Sequence, residues 1–180
     1  CVMKRPHTQI LMSTFHGERF LCAQLDSLIN QDYSQISILI RDDGSSDQTV
    51  PIIKTYQALH SHIQLIEGSN IGVVNSFFSL LQNVDTQAEY FALCDQDDIW
   101  SSNKISTAVS VLSDFSEPQL FLSLFNYIDA QDALLGTSAK PRKALGIRHA
   151  LVQNRFPGCT MVFNRAALEL VTSHLPDLGR

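Results

Sequence analysis

Tyr90-Phe91-Ala92-Leu93-Cys94-Asp95-Gln96-Asp97-Asp98-Ile99-Trp100 runs five apolar residues straight into three carboxylates within four positions. The apolar half reads as a buried strand, but the acidic half is hard to justify as fold-building. Two like charges ~4 Å apart repel by about 4 kcal/mol even at an effective dielectric of ~20, so the cluster needs water, a shared proton or a cation. A hard divalent ion with oxygen ligands meets that need. An acidic turn capping the next helix would meet it too, and the surrounding chain has to decide between them.

Upstream, Gln9 to Phe15 is a short apolar run that breaks at His16-Gly17, and from Glu18 the apolar positions Leu21, Leu25 and Leu28 recur at helical spacing. Ile36 to Ile40 is a second strand running into Asp42-Asp43-Gly44-Ser45-Ser46-Asp47, followed by a helix with Ile52, Ile53, Tyr56 and Leu59 on one face. Pro51 falls in the first turn of that helix, where it is tolerated. Ile63 to Ile66 is a third strand, and a helix from about Gly72 carries Val74, Phe77, Phe78 and Leu81. After Trp100, the pair Ser101-Ser102 is placed to cap a helix whose buried stripe is Ile105, Ala108, Val109 and Leu112. Strand and helix thus alternate four times in about 115 residues, the pattern of a largely parallel sheet covered on both faces.

Beyond Pro118 the expectations are a strand over Leu120 to Ile128, an exposed loop or hairpin over Asp129 to Lys143, and a short helix around Ile147 to Gln153. A strand over Cys159 to Phe163 follows, with Asn164 capping a helix that carries Ala167, Leu168 and Val171. At 180 residues the chain suits one domain.

Composition narrows the function. A formal charge of -5 argues against a general nucleic-acid binder. The cysteines at 1, 22, 94 and 159 are scattered and read as reduced thiols in a reducing compartment, without a disulfide framework or zinc spacing. No apolar run reaches the ~18 residues of a membrane span. Lys140, Arg142, Lys143 and Arg148 form a local basic cluster suited to solvent or to an anionic lipid surface.

In an open parallel sheet, ligands bind outside the carboxyl ends of the strands. Those ends are Ser13-Thr14-Phe15-His16, Asp42-Asp43-Gly44-Ser45, Glu67-Gly68-Ser69-Asn70 and Asp95-Gln96-Asp97-Asp98, so paired aspartates close two of the four. A dinucleotide site would need G-x-G-x-x-G after the first strand, where only Gly17 stands, and a receiver domain would carry its acidic pair after the first strand, not the second. A nucleotide diphosphate bound here would have to be neutralised by something other than helix-terminus amides, and a metal held by Asp97 or Asp98 would do that.

These residues resemble the family 2 glycosyltransferases of the GT-A fold, in particular bacterial rhamnosyl-, galactosyl- and glucosyltransferases of surface polysaccharides. Ile10 to Leu21 is similar to the family's opening, Asp42-Asp43-Gly44-Ser45-Ser46-Asp47-Gln48-Thr49 to its D-D-G-S-x-D-x-T signature, Asn70-Ile71-Gly72 to N-x-G, and Asp95-Gln96-Asp97-Asp98 to D-x-D-D. Gly158 to Asn164 resembles the later strand near the sugar site. His16 stands where the family usually has Asn.

The resemblance implies an inverting, metal-dependent transferase that uses a UDP- or dTDP-sugar donor and a saccharide or lipid-linked acceptor. It implies a cytoplasmic location, with peripheral contact at the inner face of the membrane. Ser13, Thr14 and Phe15 would line the base pocket with Glu18 nearby, and Asp43, with Asp42 as a second candidate, would accept from the pyrimidine or its ribose. Asp95 and Asp97 would contact the nucleotide sugar, Asp97 near the ribose or the metal, and Asp97 and Asp98 would hold Mg2+ or Mn2+, with Asp95 the alternative to Asp98 as ligand. Residues of about 8–115 would then form the nucleotide-binding half of a single GT-A domain and about 116–180 the start of its acceptor-side half. The catalytic base is expected beyond Arg180. A non-catalytic module that binds a nucleotide sugar or metal is the competing expectation.

Overall fold

A computed structural model describes residues 5–139 and 157–174. The first half alternates as expected: β1 (Thr8–Thr14), α1 (Leu21–Ile29), β2 (Ile36–Asp42), α2 (Thr49–Leu59), β3 (Ile63–Glu67), α3 (Val73–Gln82), β4 (Tyr90–Cys94) and α4 (Lys104–Leu112). There follow β5 (Leu120–Leu122), β6 (Asn126–Ile128), β7 (Leu134–Thr137), a 3-10 turn (Gly158–Thr160), β8 (Met161–Asn164) and α5 (Arg165–Thr172). One six-stranded sheet has the order β3-β2-β1-β4-β8-β5. Strands β1 to β4 pair in parallel, and β8 runs antiparallel to both of its neighbours.

Period-two alternation along the strands divides the core between two faces. Ile10, Met12, Ile38, Ile40, Ala92 and Cys94 face α1, α2 and α4, while Leu11, Leu39 and Phe91 face α3 and α5. Because both faces are covered, the central strands must be apolar nearly throughout, which is why they read as continuous runs. The stripe Ile105, Ala108, Val109 and Leu112 is buried as its spacing requires.

Several local expectations are corrected. The run Leu120 to Ile128 is two strands: β5 pairs with β8 for three residues, then the chain leaves the sheet and β6 forms a separate two-stranded ribbon with β7. An apolar run reports burial or strand propensity, not a change of pairing partner. Leu59 and Val74 stand 74% and 60% exposed, so the covered faces of α2 and α3 are narrower than helical spacing implies. Val171 is likewise exposed on α5. The residue before α4 is Asn103, and Ser101 supports the first turn through its carbonyl, which accepts from the Lys104 N–H, so no serine hydroxyl caps the helix. The strand expected from Cys159 begins at Met161, after the 3-10 turn. Cys22 is exposed, whereas Cys94 is buried.

The Asn164 cap is present, its side-chain oxygen accepting from the Ala167 and Gln119 N–H groups and its amide donating to the Glu117 carbonyl. One side chain thereby ties α5 and β8 to the segment entering β5. The helix expected around Ile147 to Gln153, the basic cluster and Cys1 lie outside the described residues.

Candidate functional site

The strand order turns outward between β1 and β4, which makes their carboxyl ends the switch point of the sheet. A cleft of about 270 Å³ opens there. Ser13 and Phe15 line it from β1, Asp43 from β2, Asn70, Gly72 and Val73 from the β3–α3 connection, and Asp95, Gln96 and Asp97 from β4. All four strand ends singled out in the sequence therefore converge.

The aspartate pair after β2 divides its work. Asp42 is 2% exposed and its carboxylate is consumed internally: Thr14 Oγ1 donates to it at 3.0 Å, the Ser45 hydroxyl at 2.6 Å, and the Gly44 and Ser45 N–H groups at 3.2 and 2.8 Å. It builds the turn, and Thr14 belongs to that buried pair rather than to the cleft wall. Gly44 is needed within this turn, since its φ of +85° disfavours a side chain and a Cβ would lie 3.1 Å from the Asn70 nitrogen.

Asp43 lines the cleft. Its Oδ1 accepts from Arg41 Nη1 at 2.5 Å and from the Ile71 N–H at 2.9 Å, and Oδ2 accepts from the Gly72 N–H at 2.9 Å. Burial pushes this carboxyl up, but the Ile71 N–H, the Arg41 guanidinium and the Gly72 N–H outweigh it and hold it below its ordinary value. Asp43 is therefore a fixed carboxylate, a pure acceptor.

The β1–α1 loop is pinned from two sides. The Gln96 side chain accepts from the Phe15 N–H at 2.8 Å and donates to the Phe15 carbonyl at 3.0 Å. Glu18 does not reach the cleft; its carboxylate accepts from the Gln48 N–H at the start of α2, and its own N–H donates to Asp47. His16 takes a left-handed conformation, φ 49°, with its N–H on Ser45 Oγ and its ring stacked 4.1 Å from Phe15. Asparagine and histidine both tolerate that backbone better than most residues, a physical reason for their exchange here. Phe15 is 41% exposed and available for stacking, whereas Trp100 is buried core.

The acidic cluster also splits. Asp95 and Asp97 face the cleft, while ligand atoms of Asp95, Asp98 and Cys159 lie within 4.8 Å of one another. Asp97 is outside that group. Burial raises the Asp95 carboxyl, and repulsion from Asp98 and Asp97 raises it further, against contacts from Cys159. Burial likewise raises Asp98, which the Cys159 contact and the Lys104 charge partly offset. Burial and the neighbouring carboxylates push the Cys159 thiol far up, so it stays protonated and neutral. Asp98 Oδ2 is buried without a hydrogen-bond partner. Lys104, its own value lowered by burial, sits 4.0 Å from the Trp100 ring and donates to the Cys159 carbonyl. Two crowded hard-oxygen donors with one orphaned atom suit a divalent cation such as Mg2+ or Mn2+, for which a soft thiol is a poor ligand.

Sequence reasoning missed Arg41, Gln96, Ser76 and Cys159. A charged residue ending a buried strand was a signal for Arg41; nothing local marked Gln96 as a bridge to a loop 81 residues away.

This sheet order and strand-end cleft define a GT-A nucleotide-diphospho-sugar transferase fold. Among solved structures it is similar to the mannosyltransferase PcManGT from Pyrobaculum calidifontis in complex with GDP-Man and Mn2+, with a TM-score of 0.68 and 18% identity over 94% of this chain and 47% of that one. The family model for glycosyl transferase family 2 matches residues 9–168, and the chain belongs to that family. Two curated relatives are the dTDP-rhamnosyl transferase RfbG of Shigella flexneri and the UDP-Glc:alpha-D-GlcNAc-diphosphoundecaprenol beta-1,3-glucosyltransferase WfgD of Escherichia coli. RfbG is 31% identical over 87% of this chain and 55% of its own length, and WfgD 26% over 88% and 60%. The chain thus spans somewhat over half the length of these relatives. Among the described residues no helix is long and apolar enough to cross a membrane.

Proposed function

We propose that this chain carries the donor site of an inverting glycosyltransferase that moves a sugar from a UDP- or dTDP-sugar to a saccharide or lipid-linked acceptor in cell-surface polysaccharide synthesis. The observation that carries this reading is the convergence, in one cleft, of an exposed aromatic, a fixed carboxylate acceptor and Asp95, whose carboxylate also lies beside that of Asp98. Phe15 stacks on the base, Ser13 closes the floor, and Asp43 accepts an N–H from the pyrimidine or an O–H from its ribose. Asp42, Thr14 and Glu18 act one step back, by holding the loops that present these groups. Asp95 and Asp98 would hold Mg2+ or Mn2+, with Asp97 toward the ribose. A divalent ion bound there would supply Lewis-acid neutralisation of the leaving diphosphate. The acceptor hydroxyl attacks the anomeric carbon, the bond from that carbon to the diphosphate oxygen breaks, and the hydroxyl proton passes to a carboxylate base. The names of RfbG and WfgD support dTDP- or UDP-sugar donors, and that of WfgD a lipid diphosphate acceptor; work on such an acceptor accords with a cytoplasmic location at the inner face of the membrane.

Calorimetry with UDP and dTDP, with and without Mn2+, tests the site. Binding should strengthen with Mn2+ and lose that gain in Asp98→Ala. UDP binding indifferent to both would sink the metal assignment. Sugar transfer by the full-length protein separates an enzyme from a binding module, which would bind donor normally and turn nothing over.

A further inference from the structure

Arg41 is 5% exposed beneath the cleft, the penultimate residue of β2 and directly before the aspartate pair. Its Nη1 donates to Asp43 Oδ1 at 2.5 Å and to Ser76 Oγ on α3 at 3.2 Å, and its Nη2 donates to the Ser69 carbonyl at 3.1 Å. Ser76 Oγ in turn accepts from the Ser13 hydroxyl at 2.6 Å. One guanidinium thus joins the ends of β1 and β2, the β3–α3 connection and α3 under the floor of the site. The chain also makes room for it: a Cβ on Gly68 would lie 2.6 Å from Nη2 and 3.1 Å from Cζ.

We propose that Arg41 is a positioning residue for donor-base selection, holding Asp43 so that a single acceptor position of its carboxylate faces the cleft. The inference rests on the reading that Asp43 meets the base. A carboxylate offers about four acceptor positions. Arg41 and the Ile71 N–H fill Oδ1 and the Gly72 N–H takes one on Oδ2, which leaves one for the ligand. Arginine is permanently charged and its fork is rigid, so it fixes the direction of Asp43 and keeps it an acceptor. An acceptor held there favours a base edge with an imide N–H, as in uracil or thymine. It repels cytosine, whose ring nitrogen at the same position carries a lone pair. Without Arg41, a buried Asp43 tends to take up a proton and can then donate, which erases the distinction.

The test is calorimetric binding of UDP and CDP, with Mn2+ present, to the wild type and to Asp43→Asn, Arg41→Met, Arg41→Lys and Gly68→Ala, with melting curves for each. Gly68→Ala keeps the charge and needs no unusual backbone, so it carries the test if Arg41→Met fails to fold. Loss of one charge-assisted hydrogen bond corresponds to roughly 10-fold or more in affinity. Arg41→Met should weaken UDP by about that factor and Gly68→Ala by several-fold, on the order of half the effect. CDP should change little, so the preference for UDP narrows, and Arg41→Lys should recover part of it. Equal weakening of UDP and CDP would mean a merely structural role and overturn the proposal, as would an unchanged UDP-to-CDP ratio in folded Arg41→Met and Gly68→Ala beside a weakened Asp43→Asn. Unaltered UDP binding in Asp43→Asn would instead overturn the reading of Asp43 on which the proposal stands.

Discussion

Substituting Gln96 by alanine removes the two hydrogen bonds that clamp the Phe15 backbone, one from its N–H and one to its carbonyl. Each is partly exposed, so each contributes near the lower part of the ~0.5–1.5 kcal/mol range for such bonds, and Gln96→Ala should cost about 1–2 kcal/mol of stability. Gly17→Ala reaches the same clamp from the other side: a Cβ there would lie 2.3 Å from Gln96 Oε1 and 2.7 Å from Cδ. Gly17 does not have a positive φ, so the backbone accepts alanine and the whole cost is the displacement of the Gln96 side chain. The two substitutions should therefore be strongly non-additive, because alanine at 96 removes the atoms that Gly17→Ala would strike. Urea denaturation of the wild type, both single variants and the double variant measures this. The double variant should be no less stable than Gln96→Ala within about 0.5 kcal/mol. If Gly17→Ala costs as much in the Gln96→Ala background as in the wild type, the clamp is not what Gly17 protects.

Asp98→Asn should stabilise the metal-free protein at neutral pH, because burial raises the carboxyl and the asparagine carries no charge to bury. With native values above the unfolded ones, Asp95 and Asp98 make the native state bind the extra protons, so their contribution to stability grows as pH falls through those native values. Asp43 acts in the opposite sense: its contribution is present above its unfolded value and is lost as pH falls through the lower native one. Denaturation across pH should show a smaller acid-side gain in Asp98→Asn, where Asp95 still contributes, and a smaller acid-side loss in Asp43→Asn; the same change in both would contradict the assignment. Phe15→Ala should weaken UDP by ~1–3 kcal/mol, the range for base–aromatic stacking, with little change in melting temperature; unchanged UDP affinity in calorimetry would remove Phe15 from the base pocket. Asn164→Ala should cost about 1–2 kcal/mol in chemical denaturation, since it removes a helix cap together with the partly buried hydrogen bonds to the Gln119 N–H and the Glu117 carbonyl.

The sequence alone determined the alternation of strands and helices through β4, because buried parallel strands must be apolar throughout and the helices between them must repeat near 3.6 residues. It also determined which strand ends carry charge, since three carboxylates directly after Cys94 have no place in a core. The change of pairing partner between Leu122 and Asn126 could not be read there, because sheet partnership is a non-local choice. The same limit applied inside the site. Asp42 and Asp43 are adjacent and chemically identical in sequence, yet one is spent on a turn and the other faces the cleft. Asp97 and Asp98 part in the same way, one toward the cleft and the other toward Asp95 and Cys159. A carboxylate's role depends on which donors reach it, and those donors, Arg41 and the Ile71 and Gly72 N–H groups for Asp43 and the Thr14 and Ser45 hydroxyls for Asp42, meet only when β1, β2 and the β3–α3 connection close on one another.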